Sequence, residues 1–124
     1  MATWSTGELA GIDRAYQIEI TSLRRDGSLR SFRIIWGVCV DGDYYVRSVN
    51  GPTAAWYRGT RTRHEGRILA DGAEKDVSFV DIDDDALNDR IDEAYALKYG
   101  RGTEPVRRIT SAAARATTMR VVPR

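Results

Sequence analysis

Apolar and polar residues alternate in short runs along much of this chain, and the runs are separated by turn signals. Tyr16 to Thr21 alternates with period two, the pattern of a strand buried on one face. Asp26-Gly27 then predicts a reversal, because the pair tolerates the positive φ angles that a tight hairpin turn demands. The returning segment is the most apolar stretch. In an unbroken strand Phe32, Ile34, Trp36, Val38 and Val40 share a core face, and Arg33, Ile35, Gly37, Cys39 and Asp41 share the other. Asp41-Gly42 predicts a second turn, into a strand from Tyr44 to Val49. Gly66 to Ala70 and Lys75 to Asp81 flank a third such pair, Asp71-Gly72, and Thr117 to Val122 reads as a last strand. Three Asp-Gly turns in so short a chain predict an antiparallel meander, which most simply closes into a barrel to remove its edges. The fold class expected is mainly β with flanking helices, an antiparallel split β-barrel, in a single domain over residues 1–124.

Helical periodicity appears in fewer places. Ser5-Thr6-Gly7-Glu8 fits a capping box and predicts a helix to about Asp13. Asn50-Gly51-Pro52 stops the Tyr44 strand, and a short helix carrying Trp56 is expected to begin near Thr53 or Ala54. Asp83, Asp84 and Asp85 place negative charge at the start of a third helix, with Leu87, Ile91 and Tyr95 on its packing face and Gly100 as its stop. Arg101 to Arg108 reads as a basic loop, and Ser111 as the cap of an alanine-rich turn.

The 124 residues carry a net charge of only +1, but in blocks. Five arginines face one acid from Tyr44 to Arg67, ten acids face two bases from Asp71 to Glu93, and seven bases face one acid from Lys98 onward. A near-neutral total with local basic blocks favours a discrete anion site and argues against nucleic acid as partner. The start of the sequence lacks the basic and apolar segments of a leader, and no apolar run is long enough to span a membrane, so a cytoplasmic protein is expected. One cysteine, Cys39, and one histidine, His64, offer neither a disulfide nor a metal cluster.

Candidate chemistry gathers where the Tyr44 strand meets the Trp56 helix. Free N–H groups at a helix start attract anions, and Arg47, Ser48, Asn50, Gly51 and Arg58 lie close by, with Arg61 further on. A phosphorylated small molecule is the ligand this arrangement suggests, with Trp56 or Tyr57 as a pocket wall; a plain strand-to-helix connection is the alternative. Gly37, in mid-strand, marks either close approach of a backbone or flat ligand, or a bend in a barrel. Tyr57 and His64 are the candidate proton carriers if the protein is a cofactor-free enzyme, a cyclase or isomerase. A non-catalytic binding module is the third reading.

Trp4-Ser5-x-x-Glu8-Leu9, Tyr45-Val46-Arg47-Ser48-Val49-Asn50-Gly51, Ala55-Trp56-Tyr57-Arg58-Gly59 and the tail Ala116 to Arg124 together resemble a bacterial family, domain of unknown function 2255. More distantly, Arg24-Arg25-Asp26-Gly27, Asp41-Gly42 and Ala55-Trp56-Tyr57 are similar to deazaflavin-dependent nitroreductases. Both resemblances imply the flavin-binding split barrel, also the fold of pyridoxamine-phosphate oxidase. They further imply a homodimer holding flavin mononucleotide (FMN) or a deazaflavin coenzyme, its phosphate near Arg47 to Arg58 and its ring against the Ile34 to Val40 strand, with Gly37 making room for it. The chain departs from the nitroreductase pattern after Tyr57, where Arg58-Gly59 stands in place of Asn-Leu.

Overall fold

A computed structural model describes residues 3–124; Met1 and Ala2, the start of the stretch read for a leader, lie outside it. In chain order the elements are α1 (Thr6–Arg14), β1 (Ile18–Ser22), β2 (Arg33–Ile35), β3 (Gly37–Val40), β4 (Asp43–Val46), α2 (Ala55–Arg63), β5 (Glu65–Ala70), β6 (Ala73–Asp81), α3 (Asp85–Tyr99), α4 (Glu104–Ile109), α5 (Ala112–Arg115) and β7 (Met119–Pro123). Among the described residues seven antiparallel strands form one sheet in the order β2-β1-β5-β6-β7-β4-β3. Its two ends are consecutive in sequence. Only Trp36 separates β2 from β3, so a single apolar segment crosses from one edge of the sheet to the other and nearly closes it into a barrel.

That crossing breaks the alternation expected for Phe32 to Val40. Ile35 faces the barrel core, opposite Ile18, while Ile34 is 61% exposed. Beyond Trp36 the pattern restarts in a new pairing, with Val38 opposite Tyr45. The expected single core face is therefore split in two, because each half of the segment obeys the pleat of a different neighbour.

Two of the three Asp-Gly turns form as predicted; at Asp26-Gly27 only the glycine has a positive φ, and the turn lies in a longer connection between β1 and β2. Asp41 and Gly42 have φ of 51° and 83°, and Asp71 and Gly72 have 53° and 74°, positive at both central positions as the two-residue hairpin requires. Gly27 is likewise left-handed, at φ 89°.

Two apolar clusters follow from the sheet's two faces. Ile18, Ile20, Tyr44, Val46, Ile68, Val77, Phe79 and Val121 belong to one, in the barrel, against which Trp4 and Leu9 pack. Tyr45, one residue on from Tyr44, points the other way and joins Val38, Val40, Ile91, Tyr95 and Ile109 beneath α3. Ile91 and Tyr95 are fully buried, each contributing about 1.5–3 kcal/mol of apolar burial. Asp84 caps α3 by accepting from the Leu87 N–H, and the Gly100 N–H closes its end on the Ala96 carbonyl. The basic loop expected over Arg101 to Arg108 instead contains α4, for which Pro105 in the first turn supplies a preset φ.

The Ser5/Glu8 capping box of α1 is complete, and Glu8 also accepts from Lys75 Nζ at 2.7 Å, tying α1 to β6. The Lys75 hydrogen bond, with the Ser5 N–H, holds the Glu8 carboxyl down to about 2 from an ordinary 4.5. A pKa depressed by folding contributes stability that is present above the unfolded value and lost as pH falls through the folded one. Urea unfolding as a function of pH is expected to show stability declining from about pH 4.5 toward pH 2, with a shallower decline in Glu8→Gln and in high salt.

Candidate active site

A cleft of about 500 Å³ opens between the β2–β3 crossing and the segment that links β4 to α2. Ile34, Ile35 and Trp36 form one wall, Val49, Ala54, Ala55 and Trp56 another, and Pro105 and Ile109 of α4 close a third side. Its charged lining residues are Arg33, Arg47 and Arg108, and no carboxylate lines it among the described residues. Size, apolar walls and a few convergent polar groups are the attributes of small-molecule sites.

The chain folds this way locally because Gly51 takes φ of 77° and starts a 3-10 turn over Gly51–Thr53, after which Ala54 caps α2 without a side-chain hydrogen bond. Thr53 makes no cap and donates toward the Asn50 carbonyl. A Cβ on Gly51 would also sit 3.1 Å from Ala113. Trp36 is held by a stacked Tyr99, ring centroids 3.9 Å apart and 6° from parallel, with Tyr16 edge-on to both.

Arg47 borders the cleft, but its guanidinium is fully buried. Its Nε donates to Thr118 Oγ1 at 2.9 Å, Nη1 to Asp92 and to the Ile109 carbonyl, and Nη2 to the Asn88 carbonyl and side chain at 3.1 and 2.9 Å. All five donors of the guanidinium are thereby directed at protein acceptors. Ser48 is buried; its backbone N–H donates to Thr117 Oγ1 and its hydroxyl finds no partner among the described residues. Asn50 reaches the cleft and accepts from Arg108 Nη2 at 2.8 Å. Trp56 lines the cleft, whereas exposed Arg58, although only two residues further along α2, does not.

Tyr57, Arg61 and His64 gather elsewhere. The Arg61 guanidinium lies 4.5 Å from the Tyr57 ring centroid and makes a two-pronged pair with Asp81 at 2.7 and 2.6 Å. The same carboxylate lies 3.2 Å from His64 Nε2. The Arg61 hydrogen bond holds Asp81 below the usual carboxylate range, and burial raises the Tyr57 phenol. His64 ends α2 in the left-handed conformation, φ 54°. Tyr57 and Asp81 border a separate hollow with Asn88 and Arg115, so the two candidate proton carriers stand apart from the aromatic cleft.

Gly37 stands not in mid-strand but as the first residue of β3, just past the Trp36 break, and what crowds it is neither backbone nor ligand but the Tyr44 ring: a Cβ would lie 2.1 Å from its hydroxyl. The Gly37 carbonyl accepts from Lys98 Nζ and the Tyr99 hydroxyl. Cys39 is half-buried, and desolvation, reinforced by the charge of Asp13, pushes its thiol up to about 12, leaving it protonated and inert near neutral pH.

Sequence reasoning did not single out Arg33 for the cleft, and it placed Arg108 only in the basic segment. Arg33 has no acid within six residues of it, whereas Arg108 has Glu104 four residues before it, and only the fold shows that Glu104 goes to Arg107.

The architecture defines the class: this is a split β-barrel protein. The barrel is similar to HutZ, a heme storage protein from Vibrio cholerae (TM-score 0.68, 11% identity, covering 96% of this chain and 88% of that one). It is similar also to a conserved hypothetical protein from Mycobacterium tuberculosis (0.67, 12%, 97% and 79%) and to an F420-H2 dependent reductase (0.61, 12%, 86% and 93%). Identities this low show the fold alone. Residues 8–121 match the family described as uncharacterized protein conserved in bacteria (DUF2255), and the chain belongs to that family. No curated protein matches it. Among the described residues, no helix is long and apolar enough to cross a membrane.

Proposed function

We propose that the protein is a flavin- or deazaflavin-binding oxidoreductase-like protein acting on a small molecule, with FMN or a deazaflavin coenzyme held in the aromatic cleft. The observation that carries this reading is the lining of that cleft: Trp36 and Trp56, apolar walls, the acid-free arginines Arg33 and Arg108, and no carboxylate among the described residues. A planar, anionic ligand satisfies each of those features. The residues present fit the group in size as well, since about 500 Å³ lies within the usual range for sites of drug-sized ligands. The split-barrel fold shared with an F420-H2 dependent reductase supports the class of cofactor.

When bound, such a cofactor supplies the hydride chemistry. The chain's own residues then bind and orient. Trp36, fixed by its stack on Tyr99, and Trp56 present flat surfaces to a ring, while Ile34, Val49 and Ala55 exclude water from it. Gly51 sets the course of the segment that carries Asn50 and Trp56 into the cleft. Arg47, Ser48 and Gly37 serve this site as scaffold, and Arg58, Tyr57 and His64 lie outside it.

We extend the reading to a homodimer. Ile34 and Val49, 61% and 38% exposed, both line the cleft, so a second copy packed over its mouth would cover them and the ligand together.

Fluorescence titration with FMN and with the deazaflavin coenzyme tests the proposal, using Trp56→Ala beside the wild-type chain. Loss of one stacking wall is expected to weaken binding about tenfold. Unchanged affinity in Trp56→Ala would remove the cleft from the account.

The alternative, a cofactor-free enzyme working through Tyr57 and His64, draws its support from the Tyr57, Arg61, Asp81 and His64 cluster. There the Asp81 carboxylate orients the imidazole while Arg61 neutralises it.

A further inference from the structure

We propose that the cleft grips an oxyanion group of its ligand, a phosphate or carboxylate, through Arg108 and Arg33, with Asn50 as the positioning residue for Arg108. This rests on the reading that the cleft holds a flavin-type ligand, and it moves the anion from the β4–α2 junction to the α4 side of the cleft.

Of the three arginines lining the cleft, Arg47 has spent every donor on the protein. Arg108 differs. Its partner among the described residues is the neutral Asn50 side-chain carbonyl, so its charge is uncompensated and most of its fork remains available. Arg33 donates once, to the adjacent Phe32 carbonyl at 3.2 Å, and faces no carboxylate among the described residues.

Many other arginines of the fold are treated otherwise, although Arg24, Arg25, Arg30 and Arg58, outside the cleft, also lack a carboxylate partner among the described residues. Arg61, Arg67, Arg101 and Arg115 are each paired with a carboxylate, and so is Arg107, beside Arg108, which takes Glu104 at 2.7 Å. The acid at the start of α4 thus goes to the arginine outside the cleft, and the one inside stays free.

Asn50 strengthens the assignment. It stands at the cap position of the 3-10 turn, yet its side chain makes no capping bond there and turns to Arg108 instead. A guanidinium oriented by a neutral acceptor keeps both its planar fork and its charge for an incoming oxyanion. Arg108 and Arg33 are both exposed where they line the cleft, so their attraction for an anion weakens with salt.

Riboflavin and FMN differ only by the phosphate, so their affinity ratio reads the anion subsite. The wild-type chain is expected to bind FMN at least tenfold tighter than riboflavin. Arg108→Gln should close most of that gap, and Arg33→Gln and Asn50→Ala should narrow it, all with riboflavin affinity unchanged. A second readout uses no flavin: inorganic phosphate is titrated while arginine Nε–Hε resonances are followed. Arg108 and Arg33 should shift and saturate, and Arg47 should stay. Equal binding of FMN and riboflavin, unaltered by Arg108→Gln, would overturn the anion pair and leave the flavin reading in place. Saturable phosphate shifts at Arg108 with no uptake of flavin or deazaflavin would do the reverse. Absence of both responses would overturn both.

Discussion

Replacing Arg47 with alanine is expected to cost about 3–5 kcal/mol in urea unfolding, a large part of the stability of an ordinary domain. The side chain is fully buried and ties together four parts of the fold: it sits on the segment after β4 and bonds Asn88 and Asp92 of α3, the Ile109 carbonyl of α4, and Thr118 just before β7. It also lies 5.5 Å from the centre of the Tyr95 ring. Truncation takes a donor from the Ile109 and Asn88 carbonyls and leaves Asn88 Oδ1 with only Thr118 Oγ1, and buried acceptors that lose a donor carry a cost of desolvation.

Asp92 loses less than it might, because Arg115 also holds it. A double-mutant cycle with Asp92→Asn is therefore expected to give a coupling of about 1–3 kcal/mol between Arg47 and Asp92. Arg47→Lys should recover only part of the loss, since one ammonium cannot reproduce a five-donor fork. A loss below about 1 kcal/mol in Arg47→Ala would mean that the guanidinium is exposed and free for a ligand, contrary to the clamp described here.

Gly66→Ala should be as damaging, by about 4 kcal/mol or more. Gly66 faces Ser22 across the β1–β5 pair, and a Cβ there would lie 2.0 Å from the Thr21 carbonyl oxygen and 2.9 Å from the Ser22 Cα. Both obstacles are backbone, so relief requires pulling two barrel strands apart. Gly7→Ala makes the contrast: nothing lies within 4 Å of its Cβ position and it sits in the first turns of α1. That change is expected to stabilise by about 0.5–1 kcal/mol. Thermal unfolding of the two variants side by side checks both signs, and a benign Gly66→Ala would contradict the close approach of β1 to β5.

The turns were the most legible part of the molecule. Asp41-Gly42 and Asp71-Gly72 are local signals with a local cause, and the chain obeys them. The α3 face was equally plain from Leu87, Ile91 and Tyr95. The break at Trp36 was hidden, because period-two alternation continues through it on paper; only closure of the barrel assigns Ile35 and Val38 to different cores.

The candidate site was half visible. Asn50 and Trp56 line the cleft, and both belong to the strand-to-helix segment singled out from sequence. Arg47 looked like a ligand for phosphate because its charge block seemed unopposed, and the one acid that engages it, Asp92, lies more than forty residues away in α3. Arg108 escaped notice for the converse reason. Seven bases from Lys98 onward read as one basic stretch, and only the fold shows which of them pair with acids and which is turned into a cleft.

A planar anionic cofactor in the Trp36/Trp56 cleft is the ligand proposed for this barrel. Absorbance and fluorescence spectra of the purified chain, followed by titration with FMN and then with the deazaflavin coenzyme, test it most directly. The account predicts bound chromophore or saturable uptake of one of the two, with quenching of tryptophan fluorescence as the ring reaches the indoles. A colourless protein whose tryptophan emission responds to neither would contradict it, and would turn attention to the Tyr57, Asp81 and His64 cluster.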